Sequence, residues 1–152
     1  MRKIAYEMTY EGPIREISTI ACIPFSKKYF DEFVLVYNAC FYDMRKALDR
    51  KPYNVLHTYE QISNKIDDLY LLIENNHFIG AVSCCNNEVD DLIVHKDYQK
   101  QGYGRQLLLF GMQMIRNKSD EPIILHVAQW NAHAIRMYKQ VGFEISKIEE
   151  II

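Results

Sequence analysis

Apolar positions fall into two kinds of block along this chain, and their alternation predicts its elements. Residues 3–10 and 14–23 are β-rich runs parted by Glu11-Gly12-Pro13, which predicts a hairpin or two separate strands. Phe30, Phe33, Val34, Tyr37, Phe41, Met44 and Leu48 then recur at helical spacing. They predict a long amphipathic helix, with Ser26 a candidate cap. It stops near Arg50, because Pro52 disfavours helix at the residue before it. Thr58 with Gln61 is a capping-box pattern and predicts a short second helix ending near Lys65. Three strands follow, at 68–74, 77–85 and 88–95, parted by the turns Asn75-Asn76 and Asn86-Asn87. A helix from about Tyr103 to Asn117 is marked by Leu107, Phe110, Gly111, Met114 and Ile115 on one face. A strand at 122–128, a helix capped by Asn131 and ended by Gly142, and a strand from Phe143 to about Ile151 complete the order ββααβββαβαβ. No repeat, linker or low-complexity tract interrupts it, so residues 1–152 are expected to form a single domain.

Composition removes several function classes. With 152 residues, 49% hydrophobic and 25% charged, the chain is long enough for a real core and ordinary for a globular domain. A net charge of −2 supplies no basic footprint for nucleic acid. No apolar run approaches the length that spans a bilayer, so no membrane partner is expected. Met1-Arg2-Lys3-Ile4 leads into neither a long apolar core nor a small-residue cleavage site, so it does not read as a secretory signal. Cys22, Cys40, Cys84 and Cys85 have the spacing of neither a zinc site nor a disulfide framework. They read as reduced thiols of a cytoplasmic protein. The five histidines, His57, His77, His95, His126 and His133, lack metal spacing and read as structural, and no metal is expected.

The chemistry concentrates in Gln99-Lys100-Gln101-Gly102-Tyr103-Gly104-Arg105. Leu92-Ile93-Val94 leads into it and a helix follows it. A strand, a glycine loop and a helix N-terminus expose unpaired backbone N–H groups to an anion, and the simplest occupant is a phosphate or pyrophosphate. A nucleotide P-loop would need Gly-Lys-Ser/Thr where this chain has Gly104-Arg105-Gln106. The dinucleotide fingerprint would need a third glycine where Leu107 stands.

What remains is Gln-x-x-Gly-x-Gly, at Gln99, Gly102 and Gly104. It resembles the acyl-CoA pyrophosphate loop of the GNAT superfamily of N-acetyltransferases. A second match lies downstream. The strand Ile123-Ile124-Leu125-His126-Val127, then Asn131, Ala134 and Tyr138, then Gly142-Phe143, resembles the superfamily's C-terminal signature. The resemblance runs from about Leu69 to Glu149. It implies an α/β (α+β) fold, a GNAT-like mixed, mostly antiparallel sheet flanked by about four helices, with splayed parallel strands at the cofactor site. The family usually has one more strand after the Gly-Phe strand, and this chain ends at Ile152. The extra N-terminal strand or a partner subunit is expected to take that edge, so monomer and homodimer both stay open.

The resemblance also implies a reaction: direct attack of an amine on the thioester of acetyl-CoA, the co-substrate. The pantetheine arm would pair with backbone groups of Leu92, Ile93 and Val94. The pyrophosphate would take N–H groups from Gln101, Gly102, Tyr103, Gly104 and Arg105, with Gln99, Lys100 and Arg105 as candidates for side-chain contacts. Tyr138, two turns after Asn131, would be the acid that protonates the departing thiolate, and a phenol is protonated at neutral pH. Asn131 would bind pantetheine, cap its helix, or both. Strand alternation puts Glu88 and Asp90 on one face and Asp91 on the other, which makes Glu88 the candidate base with Asp90 beside it. The acceptor would be a primary amine on a small molecule or on a protein N-terminus or lysine. The alternative is a non-catalytic acyl-CoA-binding regulatory module.

Overall fold

A computed structural model describes residues 3–151. The elements are β1 (Ile4–Tyr10), β2 (Ile23–Pro24), α1 (Phe30–Ala47), β3 (Leu69–Glu74), β4 (His77–Cys85), β5 (Glu88–Val94), α2 (Tyr103–Arg116), β6 (Ile123–Ala128), α3 (Ala132–Val141) and β7 (Glu144–Glu150). They build one seven-stranded sheet in the order β2-β3-β4-β5-β6-β1-β7. Every pairing is antiparallel except that of β5 with β6.

Apolar side chains leave the sheet on both faces, which is why the central strands read as near-continuous hydrophobic runs. On one face α2 and α3 bury Met8, Leu72, Val82, Leu108, Met112, Leu125 and Phe143. On the other, α1 buries Phe33 and Val36 against Leu71, Phe78, Ala81 and Ile93. No helix among the described residues is long and apolar enough to cross a membrane.

Three sequence expectations change. The run at 14–23 forms no long strand; only Ile23 and Pro24 pair, with Leu71 and Tyr70 of β3. β1 already has a neighbour on each side, so a hairpin partner has no free edge to join. The segment instead lies along α2, whose side chains satisfy its backbone. The Ser18 N–H donates to Gln113 Oε1 at 2.9 Å and the Thr19 N–H to Gln106 Oε1 at 2.7 Å.

The short second helix becomes two 3-10 turns, Tyr59–Ile62 and Ile66–Asp68, leaving three α-helices. Its capping box does form: Gln61 Oε1 accepts the Thr58 N–H at 2.8 Å. A segment this short lacks the residues to offset helix nucleation.

The third change concerns the missing last strand. β1 lies inside the sheet rather than at its edge, pairing Ala5 with Ala128 of β6 and Ala5 with Glu149 of β7. β6 and β7 therefore run parallel with β1 between them, and β7 is the edge. The N-terminal strand thus fills the place between β6 and β7.

Candidate active site

The one parallel junction barely holds. Glu88 pairs with Ile124, and the Ile124 N–H donates to Asn87 O at 2.9 Å. No further pair joins β5 to β6 among the described residues. The strands diverge, and Leu92, Ile93 and Val94 keep their ladder with β4, while on the other side no strand pairs with them and side chains take up the Val94 carbonyl. A cavity of about 320 Å³ occupies the divergence. Its walls include Leu92 from β5, Leu125 and His126 from β6, Asn131 and Tyr138 from the α3 side, and Met44 from α1. A larger cavity of about 400 Å³ lies by Asp68, Cys84, Asn87 and Lys118, away from the glycine loop, Asn131 and Tyr138.

The glycine loop closes the open end of β5. Gly102, at φ 88°, caps α2, and its carbonyl accepts the Gln106 N–H at 3.1 Å. That left-handed geometry suits glycine, and a Cβ there would meet nothing within 4 Å. The N–H groups of the first turn have no intrahelical acceptor, so α2 presents a bare, partly positive terminus.

The loop's side chains are mostly engaged elsewhere. Gln99 Nε2 donates to Val94 O at 3.1 Å and Gln101 Nε2 to Asp97 O at 3.3 Å, which braces the loop. The Cys40 thiol also reaches Val94 O, at 3.2 Å. Arg105 forms a two-pronged contact with Glu16, at 2.5 and 3.3 Å, tying the N-terminal segment to α2. Lys100, at φ 63°, has no side-chain partner among the described residues.

α3 brings its residues together as the spacing predicts. Asn131 Oδ1 caps the helix by accepting the Ala134 N–H at 3.2 Å, and it also lines the cavity. Tyr138 is 9% exposed, packs edge-on to Phe143 at 6.2 Å, and has no hydroxyl partner among the described residues. Burial pushes its phenol up to about 12.

The acids are arranged differently from simple alternation. Val82 pairs with Leu92 but Cys84 with Val89, so two steps on β4 face three on β5. This β-bulge falls at Asp90-Asp91 and resets the alternation. Asp91 and Asp90 consequently meet the same cation: Lys65 Nζ lies 2.6 Å from Asp91 Oδ2 and 3.9 Å from Asp90 Oδ2. The Asp91 N–H donates to Ser83 Oγ at 3.0 Å, and the Lys65 ammonium lies 5.9 Å from the centre of the Tyr37 ring. Burial holds the Asp91 carboxyl above its usual range despite Lys65 beside it. Desolvation acts to lower Lys65, but the charge and hydrogen bond of Asp91 outweigh it and keep the ammonium above its usual value.

Glu88 lies across the bulge from these acids. It does not line the cavity; His126 does, with Nδ1 3.7 Å from Glu88 Oε2 and Nε2 3.7 Å from Glu7 Oε1. Sequence reading passed over His126 as structural. Its signal was its place on a strand between the buried Leu125 and Val127, which turns its ring to the opposite face. Arg45 and Arg50, which also line the cavity, and Lys65 carried no comparable signal.

The model of the Acetyltransferase (GNAT) family matches residues 30–143. N-alpha-acetyltransferase 30 of Schizosaccharomyces pombe is 21% identical over 134 residues, 82% of this chain and 83% of that protein. An acetyltransferase of the GNAT family from Colwellia psychrerythraea has a TM-score of 0.74 at 14% identity, covering 97% of this chain. This chain spans 55% of that one, little more than half its length. Naa50 of Arabidopsis thaliana, solved in complex with the bisubstrate analogue CoA-Ac-MVNAL, has a TM-score of 0.61 at 22% identity, covering 84% of each chain. At these identities the solved structures share the fold.

Proposed function

The chain belongs to the GNAT acetyltransferase family, and on that premise we propose that it moves an acetyl group from acetyl-CoA to a primary amine by direct attack. The observation that carries this reading is the cavity at the β5–β6 divergence, where open strand backbone, a phenol and an acid-flanked imidazole meet. Acetyl-CoA, when bound, supplies the activated thioester carbonyl. The N–H groups from Gln101 to Arg105 would hold its pyrophosphate, and the open side of Leu92, Ile93 and Val94 would hold its pantetheine arm. Support for that fit comes from the open space beside Gly102 and from the side of β5 that no strand covers at Leu92, while Val94 O is already held by Gln99 and Cys40. Lys100 is free to reach the phosphates, whereas Gln99, Gln101 and Arg105 shape the loop.

The acceptor must lose a proton, because an alkyl ammonium titrates near about 10.4. Asp90 attracts the ammonium at the cavity wall. His126 takes its proton, directly or through water, and Glu88 and Glu7 stabilise the imidazolium that results. Glu88 thus acts through His126 rather than on the amine. As the new N–C bond forms and the C–S bond breaks, Tyr138 donates a hydrogen bond to the leaving sulfur. Its phenol, at about 12, stays protonated throughout the neutral range. Tyr138 then passes its proton to the thiolate and recovers one from solvent.

The test is to incubate the protein with acetyl-CoA and a panel of primary amines, following thiol release and the mass of each amine. Amine-dependent thiol release with a matching acetylated product is expected. Tight acetyl-CoA binding with no acetylated product across the panel would instead indicate an acyl-CoA-binding regulatory module.

A further inference from the structure

The cavity wall contributed by α1 is cationic. Arg45 stands in the last turn of α1 and Arg50 just beyond it, and both line the cavity. Arg45 Nε donates to Pro52 O at 2.8 Å, which fixes its guanidinium and leaves the terminal nitrogens unpaired. The Arg50 guanidinium has no side-chain hydrogen bond or ion pair among the described residues.

The acids nearby do not neutralise this pair. Asp90 and Asp91 share Lys65, and Glu7 and Glu88 flank His126. Asp90 lines the same cavity as the two arginines, and Asp90 and Arg45 both act on the Tyr37 hydroxyl, Asp90 raising its pKa and Arg45 lowering it. The acceptor side is therefore bipolar, with the Asp90 carboxylate where an ammonium would be drawn and two guanidinium groups that form no ion pair within 4.0 Å among the described residues. An apolar or purely cationic acceptor would leave both arginines unpaired in a partly enclosed space, where an unmatched charge is costly. A carboxylate matches the forked guanidinium geometry. At about 320 Å³ the cavity stands at the low end for a ligand site, which suits a small acceptor.

We propose that the acceptor is a small amine that also carries a carboxylate, of the size of an amino acid, held by Arg50 and Arg45 through its carboxylate. This rests on the acetyltransferase reading. It is tested by comparing amino acids with their own carboxamides and methyl esters as acceptors, in wild type and in Arg50→Gln, alongside acetyl-CoA titrations of both proteins. In wild type the free acid is expected to exceed its carboxamide in kcat/KM by about 10- to 100-fold, the range for a hydrogen bond to a charged group. In Arg50→Gln that preference should collapse, mainly through KM, with acetyl-CoA affinity unchanged; Arg50→Lys should restore part of it. Equal use of acid and carboxamide by wild type would overturn the proposal. So would an Arg50→Gln variant that loses acetyl-CoA affinity instead, which would assign the arginine to the cofactor's phosphates. No acetylation of any acid, carboxamide or ester, with acetyl-CoA still bound, would overturn the acetyltransferase reading and this proposal with it.

Discussion

The two faces of the sheet are built for the proposed reaction by different means. On the α2–α3 face, the features suited to acetyl-CoA belong largely to the backbone: the bare N-terminus of α2, the open side of β5, and one capped helix that delivers Tyr138. On the α1 face, the features suited to an acceptor are side chains from distant parts of the chain. Arg45 comes from the last turn of α1 and Arg50 from just beyond it, Lys65 from the turn between the two 3-10 segments, Asp90 from a bulge, and His126 from β6. Backbone recognition constrains local sequence, because it needs glycine and a helix start at fixed spacing. Side-chain recognition needs only that residues converge after folding.

That contrast gives mutations on the two faces different signatures. The largest loss should follow His126→Gln, which keeps a polar side chain but removes the base. kcat/KM for the amine should fall by roughly 10²- to 10³-fold at pH 7, within the range for general acid–base catalysis. Acetyl-CoA affinity, read by calorimetry, should stay near wild type. A wild-type pH–rate profile in this variant would remove the acceptor-face half of the account.

On the cofactor face, Gly102→Asp adds a charge against a polyanion and forces φ 88° on a residue with a Cβ. Acetyl-CoA affinity should weaken by roughly 10- to 100-fold. The circular dichroism spectrum should not change, because nothing lies within 4 Å of the new Cβ. Unchanged affinity would mean that the α2 terminus does not hold the pyrophosphate.

A smaller effect is expected at Glu88, which touches His126 at 3.7 Å but not the cavity. Glu88→Gln should lower kcat/KM by about tenfold, since Glu7 still flanks the imidazole. Part of the loss should return at higher pH, where more of the amine is neutral. A collapse as deep as that of His126→Gln would make Glu88 the base itself.

The same contrast decides what could be read from the sequence. The glycine turn at Gly102, the start of α2 and the Asn131 cap of α3 were legible because each is a helix-start signal of fixed spacing. Strands β3 to β5 were legible because the turns Asn75-Asn76 and Asn86-Asn87 punctuate them. The face assignment of Asp90 and Asp91 was not, because a bulge breaks the period of two. The segment after Pro13 is β-rich in composition, but whether it becomes a strand depends on a free sheet edge. β6 and β7 had already taken both sides of β1. Arg45 and Arg50 were illegible for the same reason as His126: their partner is a cavity that exists only once α1, β5 and β6 have come together.

The central claim is that acetyl transfer takes place where Tyr138 meets the diverging strands. Steady-state kinetics of Tyr138→Phe, measured with saturating amine and varied acetyl-CoA, tests it most directly. The substitution keeps the ring packed on Phe143 and removes only the hydroxyl. kcat should drop by roughly 10²-fold while the KM for acetyl-CoA moves little, the pattern for an interaction made only in the transition state. Wild-type kcat in the Phe variant would contradict the account, because the thiolate would then leave without help from the cavity's phenol.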